Sequence, residues 1–162
     1  MEVSKEDAGG GSSGPEKQWK ESAAKAAFNT AWDLIDLVDR TPEQEREMVL
    51  RAAASRYLWS EVGPADDETP LAVGDWQMAH VLSLLGVGEL ALTFATASLH
   101  RAQMNGWTDW RLASAEEGVA RAYAVLGDTE GRDRHAAACR NMLDGLDEED
   151  REIIAGQLAS IP

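Results

Sequence analysis

The sequence predicts an all-α protein, and three features of the 162-residue chain support that prediction. Ala and Leu dominate its apolar residues while Val and Ile are sparse, a balance that favours helices over strands. Apolar residues recur at spacings of three and four, as at Ala24, Ala27 and Ala31, which indicates one buried helix face. Short breaks of glycine, proline and capping residues separate such stretches. We therefore expect about seven antiparallel helices with short connections.

The N-terminal segment differs in composition from the rest of the chain. Residues 1–14 end in a run of glycine and serine, which cannot bury enough apolar surface to offset the entropy of ordering. We expect a flexible tail at 1–14 and a single helical domain over 15–162, a usual length for one domain.

Each predicted helix has recognisable end signals. Thr41, Pro42 and Gln44 supply an N-cap, a first-turn proline and a capping-box glutamine to the second helix, which Gly63-Pro64 ends. An acidic stretch at 65–69 precedes the third helix, and single glycines end the later ones. Asp147 is expected to cap the last helix. The seven predicted helices are residues 15–39, 42–62, 70–85, 89–105, 108–126, 129–143 and 147–160.

Charge and cysteine content narrow the function classes. The net charge of −14 comes from 29 acidic and 15 basic side chains, and it repels phosphates and anionic lipid headgroups. We therefore expect neither nucleic-acid nor membrane binding. The single cysteine, Cys139, fits a reducing compartment and a buried apolar role. No long apolar stretch indicates a signal peptide or a membrane span, so a cytoplasmic location is expected.

An internal repeat appears when Gly86 is aligned with Gly127, a period of 41 residues. The segment His80-Val81-Leu82-Ser83-Leu84-Leu85-Gly86 then matches Arg121-Ala122-Tyr123-Ala124-Val125-Leu126-Gly127. Each segment continues through an acidic residue into an alanine-rich helix.

This pattern resembles the tetratricopeptide-repeat-like (TPR-like) superfamily, including small bacterial members of it. Tyr123 falls on the aromatic position of the repeat and Ala91 on its small residue after the turn. The chain departs from the family pattern in three ways: its period exceeds the usual value of about 34, Arg132 replaces a small residue, and the closing proline is absent. The match covers residues 70–144, and 15–63 by architecture only. The resemblance implies three stacked hairpins plus a C-terminal capping helix.

The resemblance also implies a binding groove, because the first helix of each TPR hairpin lines the concave surface. The alignment predicts that Trp76, His80 and Ser83 face this groove from the third helix, and Glu117 and Arg121 from the fifth. In this interpretation Arg121 binds a carboxylate of the partner and Trp76 is an apolar anchor. The alternative is that Glu117 and Arg121 form an exposed salt bridge while Trp76 belongs to the core. Tyr57 and Trp59 are expected at one edge of the groove.

Motifs for catalysis or metal binding are absent from the sequence, so we expect no cofactor and no metal site. The three histidines are scattered along the chain. The leading hypothesis is a non-enzymatic interaction module that binds a peptide or helix of a partner protein in the groove. The first alternative is a small-molecule-binding protein or modest enzyme with a Trp-lined pocket, in which His80 is the catalytic candidate and Glu117 orients it. The second is a structural role or homo-oligomer, for which the sign would be an exposed apolar face on the first or last helix.

Overall fold

A computed structural model describes residues 14–62 and 67–162, and these residues form an all-α fold without strands. Residues 1–13 of the predicted tail, the predicted Gly63-Pro64 helix end and part of the acidic 65–69 stretch lie outside the described residues. None of the helices in the described ranges is long and apolar enough to cross a membrane. The helices are α1 (Gly14–Ile35), α2 (Pro42–Val62), α3 (Thr69–Leu84), α4 (Gly88–Met104), α5 (Trp110–Leu126), α6 (Thr129–Met142) and α7 (Glu148–Ala159), with a 3₁₀ turn at Leu143–Gly145.

The helix ends follow the local signals in the sequence, with one exception. The capping box before α2 is confirmed, since the backbone N–H of Thr41 donates to Gln44 Oε1 and the backbone N–H of Gln44 donates to Thr41 Oγ1. Asp147 caps α7 by accepting from the backbone N–H of Asp150. The expected end of the first helix at residue 39 is wrong, because Arg40 donates to the carbonyl of Ile35 at 2.9 Å and stops α1 there.

The two glycines that align the repeat end α3 and α5 in the same backbone conformation. Gly86 and Gly127 both have a φ of 73°, in the left-handed region where a side chain is strained.

The presence of Arg132, where the TPR-like pattern has a small residue, also has a physical explanation. The neighbouring Gly131 lies against the ring of Tyr123, and a Cβ at Gly131 would come within 2.7 Å of that ring. The small residue required by the hairpin is therefore present one position earlier.

Sequential helices pack as three hairpins: α1 with α2, α3 with α4, and α5 with α6. The hairpins stack because α2 also packs against α3, and α4 against α5, while α3 contacts α5 directly. Fully buried alanines such as Ala52, Ala79, Ala95 and Ala122 lie in the main core between these helices. Their small side chains let the helix backbones approach closely and leave room for larger neighbours.

A buried carboxylate joins the first two hairpins. Asp75 on α3 is only 2% exposed, and it accepts from Nε of Arg56 on α2 at 2.5 Å and from Nε of Arg101 on α4 at 3.3 Å. Arg101 also pairs with Glu68, just before α3. The approach of α2 requires Gly74, because a Cβ there would lie 2.8 Å from Cδ of Arg56. Three helices are thus held together around one negative charge.

The last helix, α7, packs against α5 and the preceding 3₁₀ turn. Its Ile154 joins Ala113 of α5 and Cys139 of α6 in a second, smaller core. Together with α1, α3 and α5, α7 also lines a cavity, which is described below.

Removing both arginines around Asp75 tests this buried ionic cluster. The double variant Arg56→Met/Arg101→Met leaves a buried carboxylate without a counter-charge, so we expect it to lose about 3–5 kcal/mol in the free energy of unfolding. Adding Asp75→Asn should recover most of that loss, since the uncompensated charge is then gone. Urea denaturation measures both.

The matched control for these arginines is Arg51→Met, which breaks the exposed Arg51–Glu47 pair and should cost less than about 1 kcal/mol. Equal losses in the double variant and in this control would contradict a structural role for the Asp75 cluster.

Candidate functional site

All five residues predicted to line the groove are buried in the structure. Trp76, His80 and Ser83 lie on α3, and Glu117 and Arg121 lie on α5. Glu117 has no exposed surface, Arg121 is 4% exposed and Trp76 is 8% exposed. The expectation that these side chains form an open binding surface is therefore corrected. They face the interior because α1 packs over one side of α3 and α7 packs over α5.

Trp76, Glu117 and Arg121 form a continuous hydrogen-bonded chain. Trp76 Nε1 donates to Glu117 Oε2 at 3.1 Å, and Arg121 Nε donates to Glu117 Oε1 at 2.8 Å. Trp76 and Glu117 occupy equivalent positions of the 41-residue repeat, so the first bond joins matching points of two stacked helices. The predicted Glu117–Arg121 salt bridge exists, but it is buried and not exposed.

Arg121 extends this chain to α7. Its NH2 group donates to the carbonyl of Gln157 at 2.7 Å and to Ser160 Oγ at 2.8 Å, both at the C-terminal end of α7. A cation at this end of a helix complements the helix dipole and adds a donor to a terminal carbonyl. The guanidinium is consequently engaged within the chain and is not presented to the carboxylate of a partner.

His80 is enclosed by aromatic rings. Its ring centroid lies 5.4 Å from that of Trp32 and 6.1 Å from that of Trp76. Burial, together with the charges of Arg121 and Arg40, lowers the pKa of His80 to about 3. The imidazole is therefore neutral and weakly basic near pH 7, which does not suit a general base.

The catalytic alternative also required Glu117 to orient His80. Within the described residues, both Glu117 oxygens bond to Trp76 and Arg121, and His80 Nδ1 has no hydrogen-bond partner. Ser83 Oγ is likewise buried without a partner. His80 thus packs as part of the aromatic core beneath the cavity described next.

A cavity of about 470 Å³ opens beside Trp76, and we call it the tryptophan cavity. Four helices contribute to its walls. Three tryptophan rings are among the lining residues, and the Trp32 and Trp76 rings are in contact, with centroids 5.4 Å apart. The lining residues are Phe28 and Trp32 of α1, Asp36 just after it, Val73 and Trp76 of α3, Trp110 and Ser114 of α5, and Asp150, Ile153, Ile154 and Gln157 of α7.

A second cavity of about 500 Å³ adjoins the first. The two are neighbours, since both are lined by Phe28 and Val73, and we call the pair the trough. The second part is named the Pro70 cavity, and its lining residues are Lys25, Phe28, Asn29, Trp59, Thr69, Pro70 and Val73.

The two residues expected at the groove edge are separated by the structure. Trp59 lines the Pro70 cavity and so lies at the trough. Tyr57 is 62% exposed and borders a different cavity of about 280 Å³, together with Met78 and Phe94. Residues two apart on a helix point in different directions, which accounts for the separation.

The charged residues differ between the two parts of the trough. In the tryptophan cavity the charged lining residues are Asp36 and Asp150, both acidic, whereas Lys25 lines the Pro70 cavity. Partial burial, followed by the nearby carboxylates of Asp147 and Glu149, raises the pKa of Asp150. The tryptophan cavity therefore combines aromatic surface with negative charge.

Sequence reasoning missed several residues of this site. Neither Trp110 nor Trp32 was among the predicted groove residues, and Trp32 lies one position after Ala31, just off the apolar stripe of the first helix. Position off that stripe is a usable signal, since a large aromatic residue there must face a second surface. The contribution of α7 had no local signal.

Cys139 has no chemistry to offer at this site. It is buried beside Ala113 and Ile154, and burial, assisted by the charges of Glu117 and Glu116, raises the pKa of its thiol to about 12. Among the described residues no group of three or more His, Cys, Asp or Glu is placed to hold a metal ion.

Comparison with known proteins adds no family to these observations. No protein-family model, curated protein or solved structure matches the chain. The resemblance to the TPR-like superfamily stays a prediction, and the function must be argued from the geometry of the trough.

Gly118 is predicted to be essential for the position of Trp76. A Cβ at Gly118 would lie 2.9 Å from Cδ1 of Trp76, whose ring is fixed by its bond to Glu117. We expect Gly118→Ala to lower the free energy of unfolding by about 1–2 kcal/mol, because overpacking outweighs the gain in helix propensity. Gly156→Ala is the matched control, since Gly156 on α7 has open space around it and should gain up to about 1 kcal/mol. Thermal denaturation of both variants measures this, and a stabilised Gly118→Ala would contradict the packing.

His80 should make stability depend on pH in a defined direction. The unfolded chain binds a proton on His80 below its ordinary pKa of 6.5, whereas the folded chain does so only near 3. The contribution of neutral His80 to the free energy of unfolding is thus fully present above pH 6.5, and it is lost as the pH drops towards 3. Between pH 6.5 and 5 we expect a loss of about 1–2 kcal/mol in the free energy of unfolding that is absent from His80→Gln. The exposed His100 is the control, and His100→Gln should keep the wild-type pH dependence; retention of the full loss in His80→Gln would refute the assignment.

Proposed function

We propose that this protein is a non-enzymatic interaction module that binds a segment of a partner protein in the trough. The observation that carries the proposal is that the tryptophan and Pro70 cavities lie next to each other and share Phe28 and Val73 in their walls. Each cavity alone has the size of a small-molecule site, which is about 300–1,000 Å³. Two such neighbouring cavities together suit a ligand that places one side chain in each, such as a peptide or a helix.

The chemistry of the walls supports the same conclusion. Tryptophan side chains at Trp32, Trp59, Trp76 and Trp110 supply large apolar contact area with few torsions to order, as in typical interface hot spots. Trp76 is held in place by Glu117, so part of the wall is formed before a ligand arrives. Preorganisation lowers the entropic cost of binding.

A catalytic function has weaker support. His80 is neutral near pH 7 and does not line either cavity of the trough. The binding residues are accordingly those of the trough walls and not the buried set His80, Ser83, Glu117 and Arg121. Trp76 belongs to both groups.

A small-molecule-binding protein is the second candidate, favoured by the size and aromatic walls of the tryptophan cavity alone. The two candidates differ in their dependence on the Pro70 cavity. Trp59→Ala alters only that end of the trough, so it should weaken a peptide and leave a small molecule unaffected.

An oligomerisation role finds little support on the predicted helices. The large apolar side chains exposed on the described parts of α1 and α7 are Trp19 and Ile153, which are single positions and not faces.

A charge placed at the centre of the trough tests the proposed function. A displayed library of random peptides is selected on the wild-type protein, and the enriched peptides are measured by calorimetry. We expect Val73→Arg to weaken them by at least about tenfold, because Val73 lines both cavities and a long charged side chain there disrupts the apolar wall that they share.

Leu90→Arg is the matched control, since Leu90 is an exposed apolar residue on α4 away from the trough and the charge change is the same. It should leave binding unchanged. The proposal is overturned if no peptide is enriched, or if the enriched peptides bind Val73→Arg as tightly as they bind the wild type.

A further inference from the structure

The tryptophan cavity has an unusual combination of lining residues. It brings together the rings of Phe28, Trp32, Trp76 and Trp110, which come from three helices. Its charged lining residues have the same sign: Asp36 lies in the turn just after α1, and Asp150 lies on α7. A purely apolar ligand would require no charge in such a site, and an anionic ligand would be repelled by both carboxylates.

Within the described residues, the chain supplies no cation of its own to this cavity. The two nearest arginines on α5 are engaged elsewhere: Arg111 pairs with Asp109 and lies over the ring of Trp107 at 4.2 Å, while Arg121 is bound to Glu117 and the end of α7. Asp36 has no ion pair among these residues, and neighbouring carboxylates surround Asp150. Arg40, four residues after Asp36, donates to the carbonyls of Ile35 and Leu37. None of these three arginines forms an ion pair with Asp36 or Asp150.

We propose that the tryptophan cavity is the subsite for an arginine side chain of the partner segment. The inference rests on the proposed function, because it assumes that the segment lies in the trough. A guanidinium is planar and weakly hydrated, so it stacks on indole faces by cation–π attraction and still donates hydrogen bonds to carboxylates. Lysine is compact and strongly hydrated, which makes it the poorer fit to an aromatic cavity.

The rest of the trough assigns a direction to the segment. Lys25 lines the Pro70 cavity, so a second arginine is disfavoured there, and Val73, Pro70 and Trp59 offer apolar contacts instead. The segment should therefore place an arginine in the tryptophan cavity, which Asp36 and Asp150 line, and apolar side chains in the Pro70 cavity. The chain's net charge of −14 would also attract a basic segment at long range.

Arginine and citrulline provide a matched pair of probes, because citrulline has the same shape without the charge. The probes are acetyl-Leu-Arg-Leu-amide and acetyl-Leu-citrulline-Leu-amide, titrated into the full-length protein at physiological salt. The indole N–H resonances of the six tryptophans are followed by NMR and assigned with Trp→Phe variants. We expect the arginine peptide to shift Trp32, Trp76 and Trp110 at a concentration at least about tenfold lower than the citrulline peptide does.

The carboxylates are tested with Asp36→Asn/Asp150→Asn, which should weaken the arginine peptide about tenfold and leave the citrulline peptide unchanged. The charge-matched control is Asp33→Asn/Asp144→Asn, whose aspartates are exposed and line none of the trough. This control should bind the arginine peptide like the wild type.

Three results would overturn the arginine subsite: equal affinity for the two peptides, shifts confined to tryptophans outside the cavity, or no shift at all. These results leave the proposed function to be judged by the library selection, which does not require arginine in the enriched peptides. Enriched peptides without arginine that lose affinity in Val73→Arg would refute the subsite alone.

Discussion

The buried carboxylate of Glu117 is the interaction on which the arrangement of the C-terminal half depends. A carboxylate without exposed surface is costly unless both oxygens are hydrogen-bonded and its charge is balanced. Trp76 on α3 and Arg121 on α5, the helix that also carries Glu117, meet that requirement. Arg121 in turn binds the end of α7. Two stacked helices and the last helix are therefore positioned by one negative charge.

The trough is a consequence of that arrangement. The bond from Trp76 to Glu117 and the close contact with Gly118 fix one edge of the indole, while the ring remains in the cavity wall. The bond from Arg121 to the end of α7 keeps the fourth wall in place. A binding surface built on such fixed groups loses little freedom when a ligand enters. Core and proposed binding site thus share residues.

The predicted site illustrates the limit of repeat periodicity. Aligning the turn glycines makes Trp76 equivalent to Glu117 and His80 equivalent to Arg121 in the repeat. In the structure the first two of these residues are hydrogen-bonded to each other. Periodicity gave no information on exposure, and the predicted open groove is in fact interior. The reason is that α1 and α7, which lie outside the repeat, pack over these side chains.

The sequence by itself determined the helices and most of their described ends, because a capping box such as Thr41–Gln44 or a glycine turn such as Gly127 depends on residues a few positions apart. Only the tertiary structure decided where α7 packs, that Trp76 lines a cavity, and that Asp36 and Asp150 line the same one. These features depend on contacts between residues distant in the chain. Such contacts are selected by the fit of side chains across helices, which a one-dimensional pattern does not specify.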